Sequence, residues 1–157
     1  MAPGAYAAAS GWRATSASTL PTTARTATES AGLAADASLI PNAVEELLRY
    51  VGPVQYNVRY TLRETEVPSG TIPAHKPVFL MKAAANRDPR AFDDGETFDI
   101  TRDPNPHLGF GWGLHHCLGA RLARAETVAV LSRLLERFPE LRPAGVRHVP
   151  ATLAGTM

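Results

Sequence analysis

Cys117 is the only thiol in this sequence, and it lies in the stretch Phe110-Gly-Trp-Gly-Leu-His-His-Cys-Leu-Gly119. Three glycines frame it, Gly111, Gly113 and Gly119, and an apolar pattern of helical period begins where the stretch ends. Glycine permits positive φ and lets a ligand approach the main chain closely. A cysteine at a helix start has free N–H donors and the positive end of the helix dipole beside its sulfur. Both favour thiolate over thiol, and the thiolate is the form that binds metal. The pattern suits one thiolate held rigidly beneath a large, flat ligand. His115 and His116 raise a second possibility, a structural metal site. Structural zinc, however, takes four ligands, commonly Cys and His in spaced pairs, and no second pair stands in register here.

The elements that must position this loop follow from hydrophobic period and turn chemistry. Downstream, 118–138 reads as the longest helix, with Leu118, Leu122, Ala125, Val128, Leu131, Leu135 and Phe138 as its apolar stripe and Pro139 as its stop. Upstream, 38–53 reads as a helix. Pro41 suits its first turn, Val44, Leu47, Leu48 and Val51 recur at helical spacing, and Gly52-Pro53 ends it. Glu46 and Arg49 are three apart on one face; by itself such a spacing describes an exposed ion pair worth about 0.2–0.5 kcal/mol. Segments 54–60, 61–67 and 78–81 read as strands, the last of them buried, with a turn at Ser69-Gly70. Together they predict a small antiparallel sheet. A short helix is expected over 83–89, then a loop rich in Asp, Gly and Pro over 91–106, and a strand around 147–153.

Taken jointly, Phe110, Gly111, Gly113, His115, Cys117, Gly119 and the following Leu122-Ala123-Arg124 resemble the heme-binding signature of the cytochrome P450 family, the heme-thiolate monooxygenases. No defining position of that signature is missing. The resemblance spans roughly 33–150 and corresponds to the C-terminal part of a domain several hundred residues long.

The resemblance implies roles residue by residue. Cys117 would be the axial ligand of the iron of heme b. His115 and Arg59 would meet heme propionates, the latter through a guanidinium fork suited to a carboxylate. Phe110 would lie against the proximal side and shield the sulfur. Gly111 would be a further cofactor-binding position, Gly119 and Ala120 are small where the helix would pass close to the porphyrin, and the amides after Cys117 would donate to its sulfur. Glu46 and Arg49 would be the family's buried Glu-x-x-Arg pair, 54–57 would border the substrate pocket, and 91–106 would be its meander. One position departs from the family pattern: where an Arg or His normally precedes Phe98-Asp99 and completes a triad with that pair, this chain has Thr97. Arg102 stands nearby as a substitute.

Composition narrows the classes. The chain has 157 residues, 45% of them hydrophobic and 20% charged, and a net charge of +1. Near-neutral charge gives no electrostatic reason to expect nucleic acid as a partner. One cysteine leaves no internal disulfide and fits a reducing cytoplasm. No run of 18 apolar residues predicts a membrane span. Residues 1–32 are rich in Ala, Ser and Thr and contain no Val, Ile or Phe. Such a segment buries too little apolar surface to offset its ordering entropy, so a low-complexity, disordered tail is expected there.

The expected fold is mainly α with a small antiparallel β-sheet: an incomplete cytochrome P450 domain over 33–157 behind the tail. The resemblance implies heme-dependent monooxygenation, with O₂ and a small organic substrate as reactants and a ferredoxin- or flavin-type protein as electron donor. The distal acid–alcohol pair of the family, within Ala-Gly-x-Asp/Glu-Thr, does not occur before Leu33, so no catalytic residue is assigned. A truncated, inactive fragment and a heme-binding module without oxygen chemistry stand as alternatives.

Overall fold

The computed structural model describes residues 31–141. The tail expected over 1–32, except its last two positions, and the strand expected at 147–153 lie outside the described residues. Residues 31–35 are helical, and a 3₁₀ turn at Ala37–Leu39 follows, capped where Ser38 N–H donates to Asp36 Oδ1 at 2.9 Å. The turn runs directly into helix α1, Ile40–Tyr50, with Pro41 in its first turn. Ile40, Ala43, Val44, Glu46, Arg49 and Tyr50 of α1 are buried. The helix ends where Val51 N–H donates to Leu47 O. Gly52 is required there, because a Cβ would come within 2.5 Å of the Leu48 carbonyl oxygen.

Strand β1, Asn57–Tyr60, pairs antiparallel with β4, Pro77–Leu80, in the register Asn57↔Leu80 and Arg59↔Val78. Inside this pair sits a separate hairpin of β2, Thr65–Val67, and β3, Gly70–Ile72. The single expected sheet is therefore two two-stranded sheets. The strand expected over 61–67 is interrupted at its start. Thr61 Oγ1 donates to Pro73 O at 2.6 Å and accepts from Lys76 N–H at 3.0 Å, which closes the base of the hairpin, and Pro73 has no N–H to carry a ladder onward. The strand expected to be buried over 78–81 is also half open. Phe79 is 57% exposed, because a two-stranded ribbon covers only one of its faces.

Short helix α2, Lys82–Ala85, follows β4, and residues 86–119 then form an irregular meander broken by a 3₁₀ turn at Gly113–His115. Helix α3, Ala120–Arg137, packs against α1. Its shielded side carries Ala120, Ala123, Arg124, Thr127, Val128 and Leu131. The predicted stripe thus holds at Val128, Leu131 and Leu135 and is displaced over the first turns. Leu118 lies just before the helix and is fully exposed, Leu122 is 62% exposed, and Ala125 is also on the open side. The hydroxyls on the shielded side are satisfied within the helix, Thr127 on Ala123 O and Ser132 on Val128 O. The core gathers Ala43, Tyr50, Phe98 and Ile100, with the Tyr50 and Phe98 rings edge-on at 5.5 Å. Among the described residues no helix is long and apolar enough to cross a membrane.

Candidate heme-thiolate site

The meander is fastened to α1 by the pair that spacing alone left ambiguous. Glu46 and Arg49 side chains are both 0% exposed and 2.7 Å apart. Arg49 commits all five of its N–H groups: Nε and Nη2 donate to the Glu46 carboxylate, Nη2 also to Thr97 O, and Nη1 to Asn86 O and Gly95 O. Glu46 in turn accepts from the Asp99 amide at 2.8 Å and from Asn105 Nδ2 at 3.1 Å. Arg102 Nε completes its surroundings at 3.4 Å and also donates through Nη1 to Asp93 O. The place left open by Thr97 is therefore filled by Arg102. Thr97 supplies only its carbonyl to the network, while its hydroxyl donates to Asp94 Oδ2. The segment Asn86-Arg87 adds a second tie: Asn86 Oδ1 accepts from Leu108 N–H at 2.7 Å, and Arg87 Nη2 donates to Tyr50 O.

Held in this way, the chain enters the loop at Gly109. Gly111 and Gly113 both adopt positive φ, +77° and +70°, as their residue type permits. Cys117 N–H donates back to Phe110 O at 2.9 Å, and His116 N–H to Gly113 O at 3.0 Å, so the loop closes on itself. A Cβ placed on Gly119, the residue preceding α3, would be 3.9 Å from Cys117 Sγ, which puts the sulfur at the N-terminal end of that helix. Of the amides that follow Cys117, that of Ala120 donates to the Cys117 carbonyl, not to the sulfur.

Cys117 itself is exposed, and so are His115, Leu114 and Leu118, with Trp112 71% exposed beside them. Phe110 is only half-buried. Its ring lies under the Arg124 guanidinium at 4.6 Å and 6.4 Å from both His107 and His116. Arg59 is exposed on β1 with its Nη1 on the carbonyl of Val58; it makes no hydrogen bond to His115.

Two side chains of the site gave no signal in the sequence. Lys82 is 8% exposed, and its Nζ donates to Gly109 O at 3.3 Å. Burial lowers its pKa, the Cys117 sulfur opposes that, and Arg59 adds to it, so Lys82 lies within electrostatic reach of both. The His107 side chain, 3% exposed, bridges Glu45 and the Gly109 amide. Its partners are distant in sequence or on the main chain, so no local pattern marks it.

The donor chemistry fits a heme. A single exposed sulfur at a helix start, ringed by exposed Trp112, Leu114 and Leu118 and accompanied by Lys82 and Arg59, suits a flat apolar ligand that brings its own metal and its own carboxylates. Among the described residues no group of three or more His, Cys, Asp or Glu is placed to hold a bare metal ion.

Comparison with known proteins agrees. The Cytochrome P450 family profile matches residues 33–151. The chain belongs to the cytochrome P450 family. Relatives of this cytochrome P450 chain include 6-deoxyerythronolide B hydroxylase of Saccharopolyspora erythraea, 45% identical over 135 residues, which covers 76% of this chain and 33% of that protein. The structure of P450BioI in complex with hexadec-9Z-enoic acid ligated acyl carrier protein superposes with a TM-score of 0.73 at 44% identity, covering 76% of this chain and 31% of that one. CYP109E1 from Bacillus megaterium, solved with corticosterone, superposes with a TM-score of 0.73 at 34% identity, covering 80% and 35%. The chain spans about a third of the length of these relatives, so its fold is part of a cytochrome P450 fold.

Proposed function

We propose that 33–157 is the heme-ligating portion of a bacterial cytochrome P450 monooxygenase, with Cys117 as the axial ligand of heme b. The observation that carries this reading is the placement of one exposed sulfur on a glycine-turned loop at the start of α3, with the loop root bolted to α1. Heme bound there would activate O₂ for transfer of one oxygen atom into an organic substrate, the other leaving as water, with a thiolate ligand favouring O–O cleavage.

The chain's own residues have narrower tasks. The Cys117 amide, fixed on Phe110 O, holds the backbone that carries the sulfur. Arg59 and His115 are placed by the reading at the propionates, where two cations or donors offset buried negative charge. Lys82 adds a desolvated cation at the floor of the loop. Gly111 and Gly119 keep the porphyrin's approach free of side chains. Glu46 and Arg49 carry no chemistry; they fix the meander that carries the loop. An electron donor of ferredoxin or flavin type, a small organic substrate and a cytoplasmic setting complete the reading.

A chain that does not ligate heme is the competing reading. Titration of the purified chain with hemin separates the two at the level of binding. The proposal expects one hemin per chain with a thiolate-type absorption spectrum, and loss of that spectrum in Cys117→Ser. A chain that binds no hemin specifically, or a variant with an unchanged spectrum, contradicts it.

A further inference from the structure

We propose that His107, together with Glu45 and Arg124, is a positioning residue for the Cys117 sulfur, and that the neutral imidazole is the member of this clamp that fails in acid. The proposal rests on the heme-thiolate reading for the purpose of the clamp, but its geometry does not depend on it.

Both ring nitrogens of His107 are committed. Gly109 N–H donates to Nδ1 at 3.0 Å, and Nε2 lies 2.9 Å from Glu45 Oε2. An Nδ1 that accepts an amide proton carries none of its own, so Nε2 bears the hydrogen and donates it to Glu45. This defines one neutral tautomer. Glu45 is gripped from the other side by Arg124, with Nε at 2.6 Å from Oε1 and Nη2 at 2.9 Å from Oε2, the two-pronged geometry typical of strong guanidinium–carboxylate pairs.

Two paths then run from Glu45 on α1 to the sulfur. One passes through His107 to the Gly109 amide and along one peptide to Phe110. The other passes through Arg124 to the face of the Phe110 ring, 4.6 Å away. They meet at Phe110, whose carbonyl accepts the Cys117 amide at 2.9 Å. The packing leaves no slack: a Cβ on Gly109 would be 3.0 Å from both His107 Nδ1 and Leu48 O.

The charged groups facing His107 are Glu45 and Arg49 on α1 and Arg124 on α3. Burial is the largest influence and lowers the His107 pKa; Glu45 opposes it, and Arg124 and Arg49 reinforce it. The ring is therefore neutral near pH 7. Protonation puts a hydrogen on Nδ1, so that two N–H groups point at each other and the Gly109 amide loses its acceptor. An unfolded histidine takes its proton near about 6.5, and this one takes it lower. The clamp's contribution is thus complete above that value and declines as pH falls from there towards the folded value, by at most about tenfold in the opening equilibrium per pH unit.

The test uses the whole chain and three variants, read by hydrogen exchange at the Gly109 and Cys117 amides as a function of pH, corrected for intrinsic rates. In the parent, protection of both amides falls as pH drops from 7 to 5. In His107→Asn an Asx-type bond from Oδ1 can still hold the Gly109 amide without titrating, so protection is retained and flat with pH. His107→Phe has no acceptor and loses protection at every pH. Glu45→Gln removes the charge that helps His107 protonate, so the fall moves to lower pH. His115 and His116 are intact in all variants, so any loss they cause persists in His107→Asn.

Equal pH dependence in the parent and His107→Asn overturns the proposal, as does a ring nitrogen spectrum showing Nδ1 protonated at pH 7. A second arm follows the thiolate-type absorption of the hemin-loaded chain over the same pH range. A band that forms but ignores His107 substitution defeats the clamp and leaves the heme reading standing. A clamp confirmed by exchange, with no such band in any variant, removes the heme reading alone.

Discussion

The Arg49 guanidinium meets the Glu46 carboxylate through two hydrogen bonds of 2.7 Å, and neither side chain reaches solvent. The pair is also the hub of the meander, because the remaining donors of Arg49 hold the carbonyls of Asn86, Gly95 and Thr97. Removing one partner strands the other as a buried charge. Arg49→Ala and Glu46→Ala are each expected to cost about 3–5 kcal/mol, measured as a shift in the urea midpoint. A loss below 1 kcal/mol would show that the pair is dispensable.

Arg102 occupies the role that Thr97 leaves vacant. Arg102→Ala removes a charged donor from Glu46 and three ties, to the carbonyls of Asp93, Asp94 and Thr97. It is expected to cost about 1.5–3 kcal/mol in the same unfolding experiment. Thr97→Arg, which restores the usual residue type, is expected to bring no gain, because the Glu46 carboxylate is already filled by Arg49, Arg102, Asn105 and the Asp99 amide. A clear stabilisation by Thr97→Arg would contradict this assignment.

How much of this was legible in the sequence depends on the range of each interaction. Helix α1 and the existence of α3 could be read, since each repeats apolar residues at helical spacing. The side of α3 that packs could be read only in part: Val128, Leu131 and Leu135 are shielded as expected, and the start of the stripe is not. Leu118 and Leu122 extend an apolar face that the described chain leaves open, whereas Ala120, Ala123 and Thr127 form the side actually shielded. The Glu46–Arg49 spacing was visible, but the same spacing describes an exposed pair, and only the meander carbonyls reveal its burial. Arg102 could be named as a candidate but not placed. His107 and Lys82 were invisible because their partners are 62 and 27 positions away, and because a lysine is almost never buried without a partner. The two-sheet arrangement was hidden by Thr61, whose hydroxyl bonds across the hairpin base, a tertiary event with no local pattern.

Burial depresses the Lys82 pKa below its ordinary 10.5. A lysine that takes its proton less readily when folded opposes folding while charged, and that cost fades as pH rises through its folded value towards the unfolded one. The difference in unfolding free energy between the parent and Lys82→Met should therefore change with pH in the alkaline range, with the parent gaining on the variant as pH rises. A difference that is constant with pH would show that Lys82 is solvated.

Gly109 has no room for a side chain. Gly109→Ala places its Cβ against His107 Nδ1 and the Leu48 carbonyl, and overpacking of this kind costs about 1–3 kcal/mol. The expected signature is a lowered melting temperature together with faster exchange of the Cys117 amide. Unchanged exchange at Cys117 would disconnect Gly109 from the sulfur.

The most direct measurement of the central claim is the carbon monoxide difference spectrum of the reduced, hemin-loaded chain, recorded beside Cys117→Ala. The account predicts a thiolate-type Soret band in the parent and none in the variant. A thiolate-type band that survives in Cys117→Ala, or its absence in a parent that binds hemin stoichiometrically, would contradict the assignment of Cys117 as the iron ligand.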